Sequence, residues 1–176
     1  MPKQLRIFPE KCIGCKSCEL ACSLVSKGEM NPSKSRITVI SFIEGKYSLP
    51  FNIPLTCKQC KDAPCLRLCP VGAISLSKDK MKAVVINHEA CIGCGQCVTA
   101  CPFGAILFDR EEKKAFKCEL CGGGPECASI CPTGAIIFLQ RTAFNSKAMA
   151  LYMEGFSILS KRNRKNLNLL GSKNDC

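Results

Sequence analysis

The chain has no tryptophan, two tyrosines and a single histidine among its 176 residues, and aromatic side chains make up 6% of it. Large rings carry much of the buried area of ordinary cores, so the organic core is thin for this length. No apolar run approaches the ~18 residues of a membrane-spanning helix. The opening stretch MPKQLRIF lacks the apolar segment of a secretory signal and has no twin arginine. A soluble, cytoplasmic protein of a reducing and anaerobic cell is expected. The sequence also holds no nucleophile paired with a base, no phosphate loop and no nucleotide fingerprint. A catalytic site for organic substrates is therefore not expected on this chain.

What the chain has in excess is cysteine, 17 residues in all. Sixteen fall into four groups of four: Cys12, Cys15, Cys18, Cys22; Cys57, Cys60, Cys65, Cys69; Cys91, Cys94, Cys97, Cys101; and Cys118, Cys121, Cys127, Cys131. The first and third groups are spaced C-x2-C-x2-C-x3-C. The third also ends in Pro102, which completes the bacterial ferredoxin run for a [4Fe–4S] cubane. The second and fourth are variants with four and five residues at the central gap, and both end in Cys-Pro.

This spacing suits a cubane for a physical reason. Three thiolates come from one tight loop, and Gly14, Gly93 and Gly95 sit inside such loops, where a positive φ is cheap for glycine. The loop N–H groups then point at the cluster sulfurs and stabilise their negative charge. The fourth cysteine of each run is expected at the start of a short helix, with the following proline in its first turn. In two-cluster ferredoxins that fourth cysteine ligates the other cluster. A disulfide scaffold and four-thiolate zinc sites are the alternatives. Four near-copies of one spacing and the repeated Cys-Pro favour iron and sulfur.

The formal charge of +11 suggests a nucleic-acid binder. That count treats the cysteines as neutral. Four oxidised clusters with their thiolates bring about −8, which lowers the total to about +3, an ordinary value. Nucleic acid is therefore not an expected partner. Lys16, Lys58 and Lys61 sit in or beside the ligand loops, either as solvated loop residues or as positive charge that favours the reduced cluster and raises its potential. His88, three residues before Cys91, reads as a turn residue rather than a ligand.

The chain repeats itself. CPVGAISL (69–76), CPFGAILF (101–108) and CPTGAIIF (131–138) share Cys-Pro-x-Gly-Ala-Ile. Each reads as the end of a cluster helix, a glycine turn and a strand. AVVIN (83–87) is the expected partner of the first strand across a charged turn at residues 77–82, and DREEKK (109–114) is a second hairpin turn. The first group lacks this unit. Ser23 follows Cys22, and residues 25–35 form a polar insertion, with a turn at Asn31-Pro32, before the strand RITVI (36–40). The insertion is either a docking loop or a surface excursion. The tail from Thr142 differs in character. Met149, Tyr152, Met153, Phe156 and Leu159 recur at helical spacing over residues 146–160, followed by Lys161, Arg162, Arg164 and Lys165. It packs on its own body, docks a catalytic subunit or a second copy of the chain, or lies on a membrane surface. Cys176, the seventeenth cysteine, is a spare thiol.

On CIGCKSCELACS, CKQCKDAPCLRLCPVGAI and CIGCGQCVTACPFGAI the chain resembles the four-cluster, dicluster-repeat ferredoxin subunits of anaerobic oxidoreductases. These include the iron–sulfur subunits of the dimethyl-sulfoxide-reductase and formate-dehydrogenase class. The short soluble members that accompany tungsten aldehyde oxidoreductases or carbon monoxide dehydrogenase are the most similar. The resemblance covers about residues 1–140. The fourth motif departs from larger relatives, which carry a longer insertion where this chain has only residues 122–126.

The resemblance implies an α+β fold of tandem ferredoxin-like units, with short β-hairpins, short cluster-binding helices and a C-terminal helical tail. Residues 1–50 with 111–141 would form an outer unit, residues 51–110 an inner unit, and residues 142–176 a basic tail. It also implies crossed ligation. One cluster takes Cys12, Cys15, Cys18 and Cys131, and its mate takes Cys118, Cys121, Cys127 and Cys22. In the inner unit one takes Cys57, Cys60, Cys65 and Cys101, and the other takes Cys91, Cys94, Cys97 and Cys69. The implied role is non-catalytic electron transfer between a catalytic oxidoreductase and a ferredoxin, hydrogenase or other acceptor. A tungsten or molybdenum aldehyde oxidoreductase is the preferred partner. Nickel carbon monoxide dehydrogenase, formate dehydrogenase and a free polyferredoxin are the alternatives.

Overall fold

The computed structural model describes residues 3–42 and 51–140. The apolar stripe of the tail, the basic residues after it and Cys176 lie outside the described residues. The fold is α+β. Among the described residues the strands pair into four two-stranded antiparallel sheets, and the cysteines lie in the loops and short helices between the strands.

β1 (Lys3–Ile7) pairs with β8 (Ile136–Gln140), so Lys3 lies opposite Gln140 and the two ends of the described body meet. β2 (Ile37–Phe42) pairs with β3 (Phe51–Thr56). β4 (Ile74–Leu76) pairs with β5 (Val84–Ile86), and β6 (Leu107–Asp109) with β7 (Lys114–Phe116). The two hairpins expected from the charged turns are therefore present. Their loops share one device. Asp79 accepts the Met81 and Lys82 N–H groups at 2.8 and 3.2 Å, and Asp109 accepts those of Glu111 and Glu112 at 2.9 and 3.0 Å. Each aspartate mimics a backbone turn. Each loop closes on a lysine in the left-handed region, Lys82 at φ 46° and Lys113 at φ 51°.

β3 carries no strand signal in the sequence, because Pro54 interrupts the run. A two-stranded sheet tolerates it. Each strand has an outer edge where a missing N–H breaks no ladder bond, and Pro54 sits opposite Val39.

The helices correct one expectation. The third cysteine of each run, not the fourth, opens the helix. α2 (Pro64–Arg67) starts beside Cys65, α3 (Gln96–Ala100) beside Cys97 and α4 (Glu126–Ser129) beside Cys127. The fourth cysteine lies at the helix end, and the proline after it is the cause. A proline pushes the preceding residue out of the helical region, and Cys101 stands at φ −75°, ψ 111°. Cys-Pro is a helix stop, not a helix start.

The first run bears this out by contrast. It has Ser23 in place of proline, and α1 (Ser17–Lys27) runs on through Cys22 for 11 residues until Gly28 caps it. The start of the expected insertion is thus helical. Ser23 is fully buried. Its hydroxyl donates to the Leu20 carbonyl at 3.0 Å and accepts the Asn31 N–H at 3.0 Å. A short 3-10 turn, Pro32–Lys34, follows, and the Asn31 side chain accepts the Ser33 N–H at its start.

α1 packs on α4, and α2 on α3. The buried core of the described body is mostly isoleucine, valine and alanine, together with Cys18, Cys22, Cys65, Cys97, Cys101, Cys118 and Cys127.

Candidate metal centres

All four runs use one loop shape. The second residue between the first two cysteines lies in the left-handed region every time: Gly14 at φ 72°, Gln59 at 49°, Gly93 at 72° and Leu120 at 62°. Only two of the four are glycine, so the sequence marks the turn in half the loops. A side chain there is strained by roughly 1–2 kcal/mol. Gln59 has offsetting bonds, since its amide donates to the Cys118 carbonyl and accepts the Val84 N–H, both at 2.8 Å.

The Cys-Pro-x-Gly-Ala-Ile repeat has a shape of its own. Gly72, Gly104 and Gly134 each donate to the carbonyl of the cysteine three residues back, at 3.3, 3.2 and 3.3 Å. Proline and glycine occupy their favoured places in such a turn. The chain then aims N–H groups back at the cysteine sulfur. Ala73 donates to Cys69 Sγ at 3.2 Å. The N–H groups of Ala105, Phe103 and Gly104 act on Cys101, and those of Ile136, Thr133 and Ala135 on Cys131. Cys22 has no such turn after it. The chain returns from the insertion instead, and the Arg36 N–H donates to Cys22 Sγ at 3.3 Å. Nothing in the sequence pattern announces this replacement.

Three cavities each combine three cysteines of one run with the fourth cysteine of another. Cys12, Cys15, Cys18 and Cys131 line the first. Cys118, Cys121, Cys127 and Cys22 line the second. Cys91, Cys94, Cys97 and Cys69 line another. The remaining four sense one another electrostatically: Cys57, Cys101 and Cys60 push the Cys65 thiol up, and Cys57 acts on Cys101. Each set of four is a quartet, named by its lowest-numbered cysteine. A zinc site asks its ligands to lie about 2.3 Å from one point. Among the described residues no three His, Cys, Asp or Glu side chains converge that way. A cubane has four separate iron corners, so its thiolates stand farther apart. The all-sulfur donor set fits it.

Burial dominates the thiol electrostatics. It pushes Cys18 and Cys97 up to about 12, and Cys65 and Cys118 up to about 11. Cys127 is pushed up strongly by burial, then by Cys118, Cys22, Cys121 and Cys18. Cys131 is lowered. Burial raises it, but the N–H groups of the repeat turn and the Thr133 hydroxyl outweigh burial. A metal must therefore displace protons that most of these thiols hold tightly.

The sulfurs also reveal which quartets are neighbours. Cys127 senses Cys18, Cys118 senses Cys57, and Cys97 senses Cys65. The order in space is Cys12 quartet, Cys22 quartet, Cys57 quartet, Cys69 quartet. At the two ends the Cys-Ile-Gly-Cys loops expose Ile13 by 65% and Ile92 by 64%, beside the exposed Cys15 and Cys94.

The lysines of the ligand loops differ in burial. Lys16 and Lys61 are exposed. Burial pulls Lys58 down to about 7, with Cys60 acting in the opposite direction. Two lysines outside these loops bond backbone carbonyls. Lys114 donates to the carbonyls of His88 and Cys91, at 2.7 and 2.5 Å. Lys117 is fully buried and donates to the carbonyls of Val84 and Cys118. Sequence reasoning passes over Lys117. Its one signal is a charged residue inside the apolar run AFKC. His88 lies half-buried after β5, and its carbonyl is the Lys114 acceptor. No described helix is long and apolar enough to cross a membrane.

A family model described as a 4Fe-4S dicluster domain matches residues 50–141, and one described as a 4Fe-4S binding domain matches residues 5–23. The chain is 48% identical over 96 residues to the aliphatic sulfonate oxidoreductase polyferredoxin-like subunit of Pyrococcus furiosus, covering 54% of this chain and 52% of that one. It is 39% identical over 107 residues to the arsenate respiratory reductase iron-sulfur subunit of Shewanella sp. (strain ANA-3), covering 57% and 42%. The chain thus spans about half the length of these relatives. The active site complex of benzoyl coenzyme A reductase aligns over 97% of this chain and 98% of its own, at TM-score 0.43 and 20% identity.

Proposed function

Since the chain belongs to the 4Fe-4S dicluster domain family, we propose that it is a non-catalytic subunit relaying single electrons between a catalytic oxidoreductase and a second redox protein. Its sixteen grouped cysteines provide four [4Fe–4S] sites. When bound, the clusters supply one-electron chemistry, and the chain's own residues hold them, shield them and set their surroundings.

The observation that carries this reading is the mixing of runs in the cavities. We assign the ligands as the quartets stand: Cys12, Cys15, Cys18 with Cys131; Cys118, Cys121, Cys127 with Cys22; Cys57, Cys60, Cys65 with Cys101; and Cys91, Cys94, Cys97 with Cys69. Pairing of β1 with β8 and packing of α1 on α4 support an outer unit of residues 1–50 and 111–141. The β4–β5 hairpin and the packing of α2 on α3 support an inner unit of residues 51–110. β2–β3 and β6–β7 each place one strand in either unit and so tie the two together.

A double substitution tests the assignment. Cys12→Ser and Cys131→Ser each remove a ligand of the same cluster, so each loses about four iron atoms and the pair together loses no more. If each run instead held its own cluster, the double variant would lose about eight. Iron and sulfide analysis of the three variants decides.

The ends of the row, at Ile13 and Ile92, are where we place electron entry and exit. A tungsten or molybdenum oxidoreductase of the aldehyde type remains the preferred partner. The named activities of the relatives extend the candidates to sulfonate and arsenate enzymes. Anaerobic purification of the native complex, followed by metal analysis, tests the partner. About 16 iron per chain with tungsten or molybdenum is the expected result. Nickel would move the partner to carbon monoxide dehydrogenase, and zinc without iron would overturn electron transfer altogether.

A further inference from the structure

Lys117 has 0% of its surface exposed, and it is the bulkiest of the side chains sealed inside the described body. Its ammonium donates to the carbonyls of Val84 and of Cys118, the latter at 3.0 Å. Both partners are neutral. Charged groups are almost never sealed away unless an opposite charge accompanies them. The Glu119 carboxylate, two residues on, is engaged by Arg36 at 2.8 Å and by the Ile86 N–H at 3.1 Å, and the other groups able to supply that charge are the cysteines. Cys118 belongs to the Cys22 quartet and is the next residue in the chain. Cys65 belongs to the Cys57 quartet, and Lys117 acts on it electrostatically, favouring its thiolate. Lys117 therefore stands at the junction of the two middle quartets. The same junction is pinned by Gln59, which shares with Lys117 the Cys118 carbonyl and residue Val84.

We propose that Lys117 is the internal counter-charge of the two middle clusters and a positioning residue that raises their reduction potentials. Each cluster gains one negative charge on reduction. A fixed positive charge stabilises the reduced form more than the oxidised one, and the low dielectric of the interior strengthens the effect. The end quartets gain less, because their cysteines are separated from Lys117 by the middle ones. This inference rests on the four-cluster reading above.

The test is a potentiometric titration of the reconstituted full chain, followed by electron paramagnetic resonance. Lys117→Met removes the charge at similar length. Lys117→Gln removes it but keeps a donor for one carbonyl. With about 16 iron per chain retained, two of the four reduction steps should fall at least tenfold in equilibrium constant, 59 mV for a one-electron couple. The other two should stay in place. All four steps unmoved, or all four shifted together, would overturn the inference. If both neutral variants lose iron, Lys117→Arg decides. Full iron in the arginine variant supports the counter-charge, and loss of iron there as well leaves only a packing role and overturns it. A wild-type chain without iron would instead remove the four-cluster reading, so the two failures are distinguishable.

Discussion

Removing the iron should unfold this protein. Chelation of the reduced chain under anaerobic conditions is expected to abolish far-ultraviolet helix and strand signals, expose all the thiols to alkylation and make the body protease-sensitive. The reason lies in how little the polypeptide can do alone. α2, α3 and α4 are four or five residues long, far below the ~12–15 at which isolated helices become even marginal. β4 to β7 are three residues each, paired only in twos, and lone hairpins have little stability in water. Seven of the core residues are cysteines of the quartets. Without metal, those thiols are neutral polar groups pressed together. With metal, and with the ligands as proposed, they become crosslinks between segments as distant as Cys12 and Cys131. Binding free energy is then folding free energy. An apo chain that kept its circular dichroism and hydrogen-exchange protection would sink this expectation.

The second large effect separates two loops of identical sequence. Cys-Ile-Gly-Cys occurs at residues 12–15 and again at 91–94, with Gly14 and Gly93 both at φ 72°. A Cβ on Gly14 would stand 2.7 Å from Asn52 Oδ1, the end of a side chain. A Cβ on Gly93 would stand 2.1 Å from the Lys113 carbonyl oxygen, which is backbone just before β7. Asn52 would have to rotate away from the Ser41 hydroxyl, whose bond it accepts at 2.6 Å, and from the Cys12 carbonyl, to which its amide donates at 3.4 Å, a loss on the order of 1–3 kcal/mol. Lys113 has no such freedom, since its backbone closes the β6–β7 loop. Gly14→Ala should therefore keep its full iron and lose only a few degrees in melting temperature. Gly93→Ala should lose the Cys69-quartet cluster, about four iron atoms, or fail to fold. Equal behaviour of the two variants would show that the close approach at Gly93 is unimportant.

The cofactor content was legible in the sequence because metal ligation fixes both residue type and spacing, and little besides four cubanes calls for four runs of four cysteines. The hairpins at residues 74–86 and 107–116 were legible because their turns are charged and bounded by apolar runs. β3 was hidden by Pro54, whose tolerance depends on having a free strand edge. The helix positions were not legible, since Cys-Pro can read as a start or a stop, and only the backbone angles at Cys101 decide. Lys117 was hidden because burial is a property of the packed body. The exposed Lys16 and Lys61 look equally promising in a string of letters. The return of Arg36 to Cys22 joins residues across an insertion, which no local pattern records.

The interleaving of the four runs also bears on how the protein is made. With the quartets as proposed, the two clusters of the inner unit have all their ligands once residue 101 has left the ribosome. The Cys22 quartet waits for Cys127, and the Cys12 quartet waits for Cys131. Synthesis therefore closes the body from the inside outward, as brackets close in an expression. β1, the first of the described segments to be made, is among the last of them to find its place, because β8 emerges last. During that interval Cys12, Cys15 and Cys18 stand as an open three-thiol loop, complete in sequence but short of its fourth ligand. A chain truncated before residue 127 would carry the Cys57 and Cys69 half of the wire and neither cluster of the outer unit.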